Sequence, residues 1–181
     1  VLFPLIQVPD VSLSQNIYIL FFYGIKEILL GMMIGFICYL FFSSLYLAGH
    51  LIDMEMGFAI VNVINPQDET EIPLVANLFY VLASLVFLTI NAHHTLIKAL
   101  KYSFTKIPLG SFNMNHFMLE QLIQTITYGF IVGFKMAAPV LVTLLVSNVL
   151  LGILARTMPQ MNVFMVGLPL KILIGLVVLT F

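Results

Sequence analysis

The chain is dominated by uninterrupted apolar runs that are too long for the core of a soluble domain. Ile28 to Gly49, Leu74 to Ile90, Tyr128 to Ala155 and Val163 to Phe181 each come near or exceed the roughly 20 residues that cross a bilayer core. Of 181 residues only 8% are charged and 61% are hydrophobic, whereas about a quarter of a soluble domain is charged. A water-soluble monomer is excluded. The expectation is an all-α polytopic membrane protein built from long, partly kinked helical hairpins. A net charge of -1 offers no basic field for nucleic acid. The single cysteine, Cys38, lies inside an apolar run where neither a disulfide nor a metal cage can be built. The start at Val1 and the end at Phe181 within a hydrophobic stretch suggest a portion of a longer protein.

The runs differ in detail. Pro73 precedes Leu74, which suits a helix start because the missing N–H would be unsatisfied there anyway. Tyr128 to Ala155 carries Lys135 and Pro139, so it should kink or extend beyond the membrane. Val163 to Phe181 carries Pro169 and Lys171, and the apolar stretch Ile17 to Ile25 could prolong the first helix through Lys26 and Glu27. Between His50 and Pro73 stand five acids, Asp53, Glu55, Asp68, Glu69 and Glu71, and no Lys or Arg. The next connection carries Lys98, Lys101 and Lys106, so positive-inside counting assigns it to the cytoplasm. Arg156, Lys135 and Lys171 fit that simple four-span drawing poorly. Within the lysine connection, Leu96, Ile97, Leu100, Phe104 and Ile107 share one helix face, with Lys98 and Lys101 opposite. This amphipathic helix should stop at Pro108-Leu109-Gly110, and a new one should begin near Ser111 to Asn115. With no repeat and no linker, residues 1–181 read as one membrane domain.

Enzyme signatures are missing: the sequence holds no phosphate-cradling Gly-rich loop with Lys, no H-E-x-x-H and no nucleophile elbow. No catalytic residue, cofactor or metal is expected. His50, Asp53 and Glu55 come nearest to a metal cluster, but Glu55 cannot share the face of the other two, and polar residues at a membrane surface are the simpler reading. His93 and His94 are adjacent and point about 100° apart on a helix, which prevents joint chelation. Gly31 with Gly35, and Gly129 with Gly133, form two G-x-x-x-G patterns, the spacing that lets membrane helices approach closely. Met54, Met56, Gly57, Phe58, Ile60, Val61 and Val63 form an apolar strip interrupted by Gly and ending at Asn65-Pro66. That composition favours a broken backbone, which at membrane depth must be buried in protein or line a cavity. A turn with core-facing residues and a deformable hydrophobic seal both fit the strip.

Arg156-Thr-Met-Pro159-Gln160-Met-Asn162-Val-Phe164, followed by Gly167 and Pro169, resembles a signature of the FliR family, whose virulence-secretion counterparts are called SctT. Met56-Gly57-Phe58 within Gly49 to Pro66, Phe87-Leu-Thr-Ile-Asn91-Ala-His93, and Ile107-Pro108-Leu109-Gly110 agree with it. Ala92, where the family often has Gly, and Asn65, where Asp is frequent, are departures confined to turns. The resemblance implies a channel-forming, non-enzymatic subunit of the flagellar type III export gate in the bacterial inner membrane, at the flagellar basal body. It implies FliP-like and FliQ-like partners in a hetero-oligomer, larger export-gate and FlhB-like subunits nearby, and unfolded secreted proteins as cargo. It further implies helices before Val1 and a tail after Phe181, helix bulk covered by neighbours above the bilayer, and a FliQ-like hairpin over Tyr128 to Phe181. The strip from Met54 to Val63 then maps onto a pore plug, and Arg156, Pro159, Gln160, Asn162 and Phe164 onto the turn that shapes the hairpin. The competing class is a small-solute secondary transporter, suggested by broken helices and intramembrane Lys; it would be favoured by inverted repeats, and none is visible.

Overall fold

The computed structural model describes residues 17–58, 73–108, 110–113, 115–158, 160 and 162–180. Among these residues there are five helices and no strand: α1 (Ile17–Met56), α2 (Leu74–Thr89), α3 (Ala92–Lys106), α4 (His116–Thr157) and α5 (Val163–Leu179). The protein is all-α and polytopic, with two helices long and apolar enough to cross a membrane and a third candidate in the bent pair α2 and α3. Lys26 and Glu27 do not interrupt α1, which runs for 40 residues, and α4 runs for 42 residues with Pro139 inside it. At 1.5 Å per residue each is about 60 Å long.

Contacts gather the chain into two units, residues 1–41 with 84–126, and residues 42–83 with 127–181. In the first unit, the charged pair of α1 has a specific task. Lys26 Nζ donates to the Gly110 carbonyl at 3.0 Å, and the Gly110 N–H donates to Glu27 Oε1 at 3.2 Å. Gly110 has φ +75° and the Tyr23 ring occupies the place of a Cβ, so only glycine fits this turn after Pro108. The next helix opens where Asn115 Oδ1 accepts from the Met118 N–H at 3.0 Å, an ordinary N-cap bond to the third helical residue. Between α2 and α3 the axis bends by 69°, with Asn91 in the left-handed region at φ 56°, a conformation asparagine tolerates better than most residues.

In the second unit, α4 presents a seam. Its buried residues Gly133, Ala137, Val140, Leu144, Ser147 and Leu151 follow the alternating four and three spacing of a coiled-coil stripe. The buried face of α1 repeats every fourth residue through Ser44, Ala48, Ile52 and Met56, widened by Gly49 and Asp53. A Cβ at Gly133 would lie 2.6 Å from the Ser44 carbonyl oxygen, and farther along Asn148 Nδ2 donates to Glu55 Oε2 at 3.3 Å. Both pairs advance in the same sense, so α1 and α4 run parallel here. Helix α2 runs antiparallel to α1, since Asp53 meets Val75 while Phe42 meets Tyr80.

Candidate functional site

The C-terminal end of α1 carries Asp53 and Glu55 together with the first residues of the apolar strip, Met54 and Met56. The helix stops because the chain there changes hand. The Phe58 N–H donates to the Asp53 carbonyl at 3.1 Å and the Gly57 N–H to the Met54 carbonyl at 3.2 Å, with Gly57 at φ +91°. These two bonds and the left-handed glycine define a Schellman cap, which satisfies carbonyls that the helix end would leave orphaned. Phe58 then packs against the core built on Ala48, Ile52 and Met56.

Asp53 is only 3% exposed. Its Oδ1 accepts from the Val75 N–H at 2.9 Å and its Oδ2 from the Ala76 N–H at 3.0 Å. Those donors belong to the first turn of α2, where N–H groups have no intrahelical partner and the helix dipole favours an anion. A carboxylate of one helix thus caps the next, and the close approach this requires is supplied by Gly49, one turn back on the same face. A Cβ there would lie 2.6 Å from the Ala76 nitrogen. Both ends of the intervening connection are held by this one side chain.

The three polar residues therefore diverge. His50 stacks on Tyr46 with a centroid distance of 6.3 Å, Asp53 serves α2, and Glu55 accepts from Asn148. Among the described residues no cluster of His, Cys, Asp and Glu suits a metal ion. The reading of Asp53 as a polar residue at a membrane surface is corrected, because it is buried against backbone donors.

The seven residues of the apolar strip do not act alike. Met54 is 53% exposed, whereas Met56 is fully buried and its thioether chain fills the space beside Gly175 of α5. Met56 is an anchor in the core of its own unit, with no surface left to line a passage. Gly57 and Phe58 are half-buried in the cap; Ile60, Val61 and Val63 lie outside the described residues. Of the paired glycines, only Gly133 is shown in close helix contact within the chain. Gly31 and Gly35 meet nothing within 4 Å, and Gly129 is half-buried in α4. The turn after α4 has Arg156 exposed in the last helical turn and Gln160 exposed beyond it. Asn162 stands at the start of α5, where its carbonyl accepts from the Met165 N–H at 3.0 Å. Pro159 and the side chain of Phe164 lie outside the described residues.

The roles of Gly49 and of the pair Lys26-Glu27 lie outside the sequence reading, and Asp53, which that reading sets beside His50 and Glu55, takes backbone N–H groups as its partners instead. A signal for Asp53 existed, an acid four residues after a glycine in an apolar helix, facing a later helix start marked by Pro73.

Substitution of Gly57 tests the cap. In Gly57→Val a β-branched residue must take positive φ, which costs about 1–2 kcal/mol or more, so the thermal unfolding midpoint of the purified chain should fall. Gly57→Asn should lower it less.

These features define an all-α polytopic membrane protein in which the end of one long helix caps the start of the next and packs closely against it. The chain belongs to the bacterial export proteins, family 1, which it matches over residues 1–181. It is similar to the flagellar biosynthetic protein FliR of Bacillus subtilis, 39% identical over 175 residues that cover 94% of this chain and 66% of that protein. It is also similar to FliR of Aquifex aeolicus, at 36% over 87% of this chain and 60% of the relative. The surface presentation of antigens protein SpaR of Shigella flexneri is 29% identical over 93% of this chain and 64% of its own length. The chain thus spans 60 to 66% of the length of these three relatives. Its membership of this family goes together with helices long and apolar enough to cross a membrane.

Proposed function

We propose that the chain is a channel-forming, non-catalytic subunit of the flagellar export gate in the bacterial inner membrane, acting as one membrane domain through which unfolded proteins are secreted. The observation that carries this reading is the mismatch between helix length and exposed apolar surface. Two helices of about 60 Å would need a tilt of about 60° to fit a hydrocarbon core of roughly 30 Å, beyond the usual range of 0–40°. Their protruding lengths must therefore leave the hydrocarbon, yet large apolar side chains are exposed from Ile17 to Phe41 on α1 and from Phe117 to Leu154 on α4. Outside lipid such a surface has to be covered by protein. FliP-like and FliQ-like subunits are the proposed covers, with larger export-gate and FlhB-like subunits beyond them. Co-purification tests this: the tagged chain should leave the membrane with subunits of both kinds, and recovery of the chain alone would overturn the reading in favour of a self-contained transporter.

The plug reading is retained in altered form. Met56 is assigned to anchoring, Gly57 and Phe58 to the cap, and the sealing surface to Met54 and the apolar residues Ile60, Val61 and Val63 that follow. A narrow apolar constriction blocks ions by dewetting. Changing Ile60, Val61 and Val63 together to Ser leaves the cap and Met56 intact. The assembled complex carrying this triple change should conduct ions at rest, measured as conductance across a planar bilayer. An unchanged leak with verified assembly would move the seal to other subunits.

A further inference from the structure

Helix α3 leaves α2 at 69° and carries Lys98, Lys101 and Lys106 with no Asp or Glu between Ala92 and Lys106. None of its residues is buried. Its half-buried stripe runs through Leu96, Leu100, Ser103 and Ile107. The apolar face expected from the sequence is therefore divided: Ile97 and Phe104 do not join that stripe and are each 41% exposed. At about 100° per residue these two stand on a flank next to Lys101, with His94 and Lys98 just beyond. On the other flank Lys106 lies 5.5 Å from the centroid of the Tyr102 ring, which is 61% exposed. Among the described residues no carboxylate pairs with any of the three lysines.

From this arrangement we infer that α3 lies in the membrane interface and binds anionic phospholipid headgroups. The occupant follows from charge and geometry together. An exposed apolar strip edged by lysines is what an interfacial helix presents, with the strip at the acyl boundary and the ammonium groups among phosphates. Tyrosine beside lysine belongs at the same depth. The sharp bend after the apolar helix α2 turns α3 across its axis. The lysine connection is also the one that positive-inside counting assigns to the cytoplasm, where the leaflet is anionic and attracts basic segments.

The chain contains no tryptophan, so Phe104→Trp supplies a single probe. The full chain with this change is reconstituted in vesicles of phosphatidylcholine and phosphatidylglycerol, brominating the acyl chains of one lipid or the other at equal mole fraction. Brominated phosphatidylglycerol should quench the probe roughly twofold more than brominated phosphatidylcholine, because lysines enrich anionic lipid locally. The difference should vanish in Lys98→Gln with Lys101→Gln and Lys106→Gln. If that variant does not fold, high salt on the lysine-bearing protein provides the same comparison, since about 1 M salt cuts the screening length to about 3 Å. Equal quenching by both lipids overturns the anionic specificity. Quenching by neither means that protein covers the face, and overturns the proposal altogether.

Discussion

Asp53→Ala should unfold or severely weaken the second unit of the chain. The substitution removes two hydrogen bonds to an ionised acceptor, each worth about 1.5–3 kcal/mol, and leaves the Val75 and Ala76 N–H groups without it in a site that water does not reach freely. A total of about 3–6 kcal/mol is a large part of the roughly 5–15 kcal/mol that holds a typical domain together. Asp53→Asn keeps one acceptor and turns its other group into a donor facing a donor, so it should fall between the two. The measurement is the thermal midpoint of the purified chain in detergent, together with amide exchange at Val75 and Ala76. Exchange at these two amides should accelerate in Asp53→Ala before the rest of α2 is affected. Wild-type midpoint and wild-type exchange in that variant would show that the cap contributes nothing to stability.

The same residue marks the boundary of what the sequence makes legible. The amphipathic character of α3, its stop at Pro108 and the start of α4 after Asn115 depend on neighbours in the chain, and each is visible in local pattern. The break at Gly57 is visible for the same reason, although the pattern alone leaves Met56 ambiguous between seal and core. Asp53 acts on donors 22 and 23 residues away, and no local rule connects them. Helical periodicity places Asp53 one turn from Gly49, but only the arrival of α2 gives that face its meaning. Lys26 and Glu27 pose the same problem more sharply. A helix prolonged through them is visible in the pattern, but their partner is the backbone of Gly110, more than eighty residues on.

Glycine spacing is where pattern and contact part most clearly, and replacing glycines should separate two kinds of helix packing. Gly49→Ala places a methyl against the backbone of Ala76, and neither backbone can yield without moving α1 from α2. Gly133→Leu forces a larger group against the Ser44 carbonyl. Overpacking of this kind costs typically 1–3 kcal/mol and more where backbone must shift, so both variants should lower the midpoint of the isolated chain by several degrees. Gly31→Leu and Gly35→Leu meet open space within the chain and should leave that midpoint unchanged. Gly35 also lines an apolar recess of about 400 Å³ with Met32, Phe36 and Leu122, a concavity that a partner helix could fill and that Leu would narrow. If Gly31 and Gly35 serve contacts with neighbouring subunits, their Leu variants should lose those subunits on co-purification while the chain itself stays folded. Because lipid gives no hydrophobic drive between helices, close approach carries most of the association there, and a side chain that keeps backbones apart should act strongly. Full recovery of the complex in both variants would confine the packing role to Gly49 and Gly133, inside the chain.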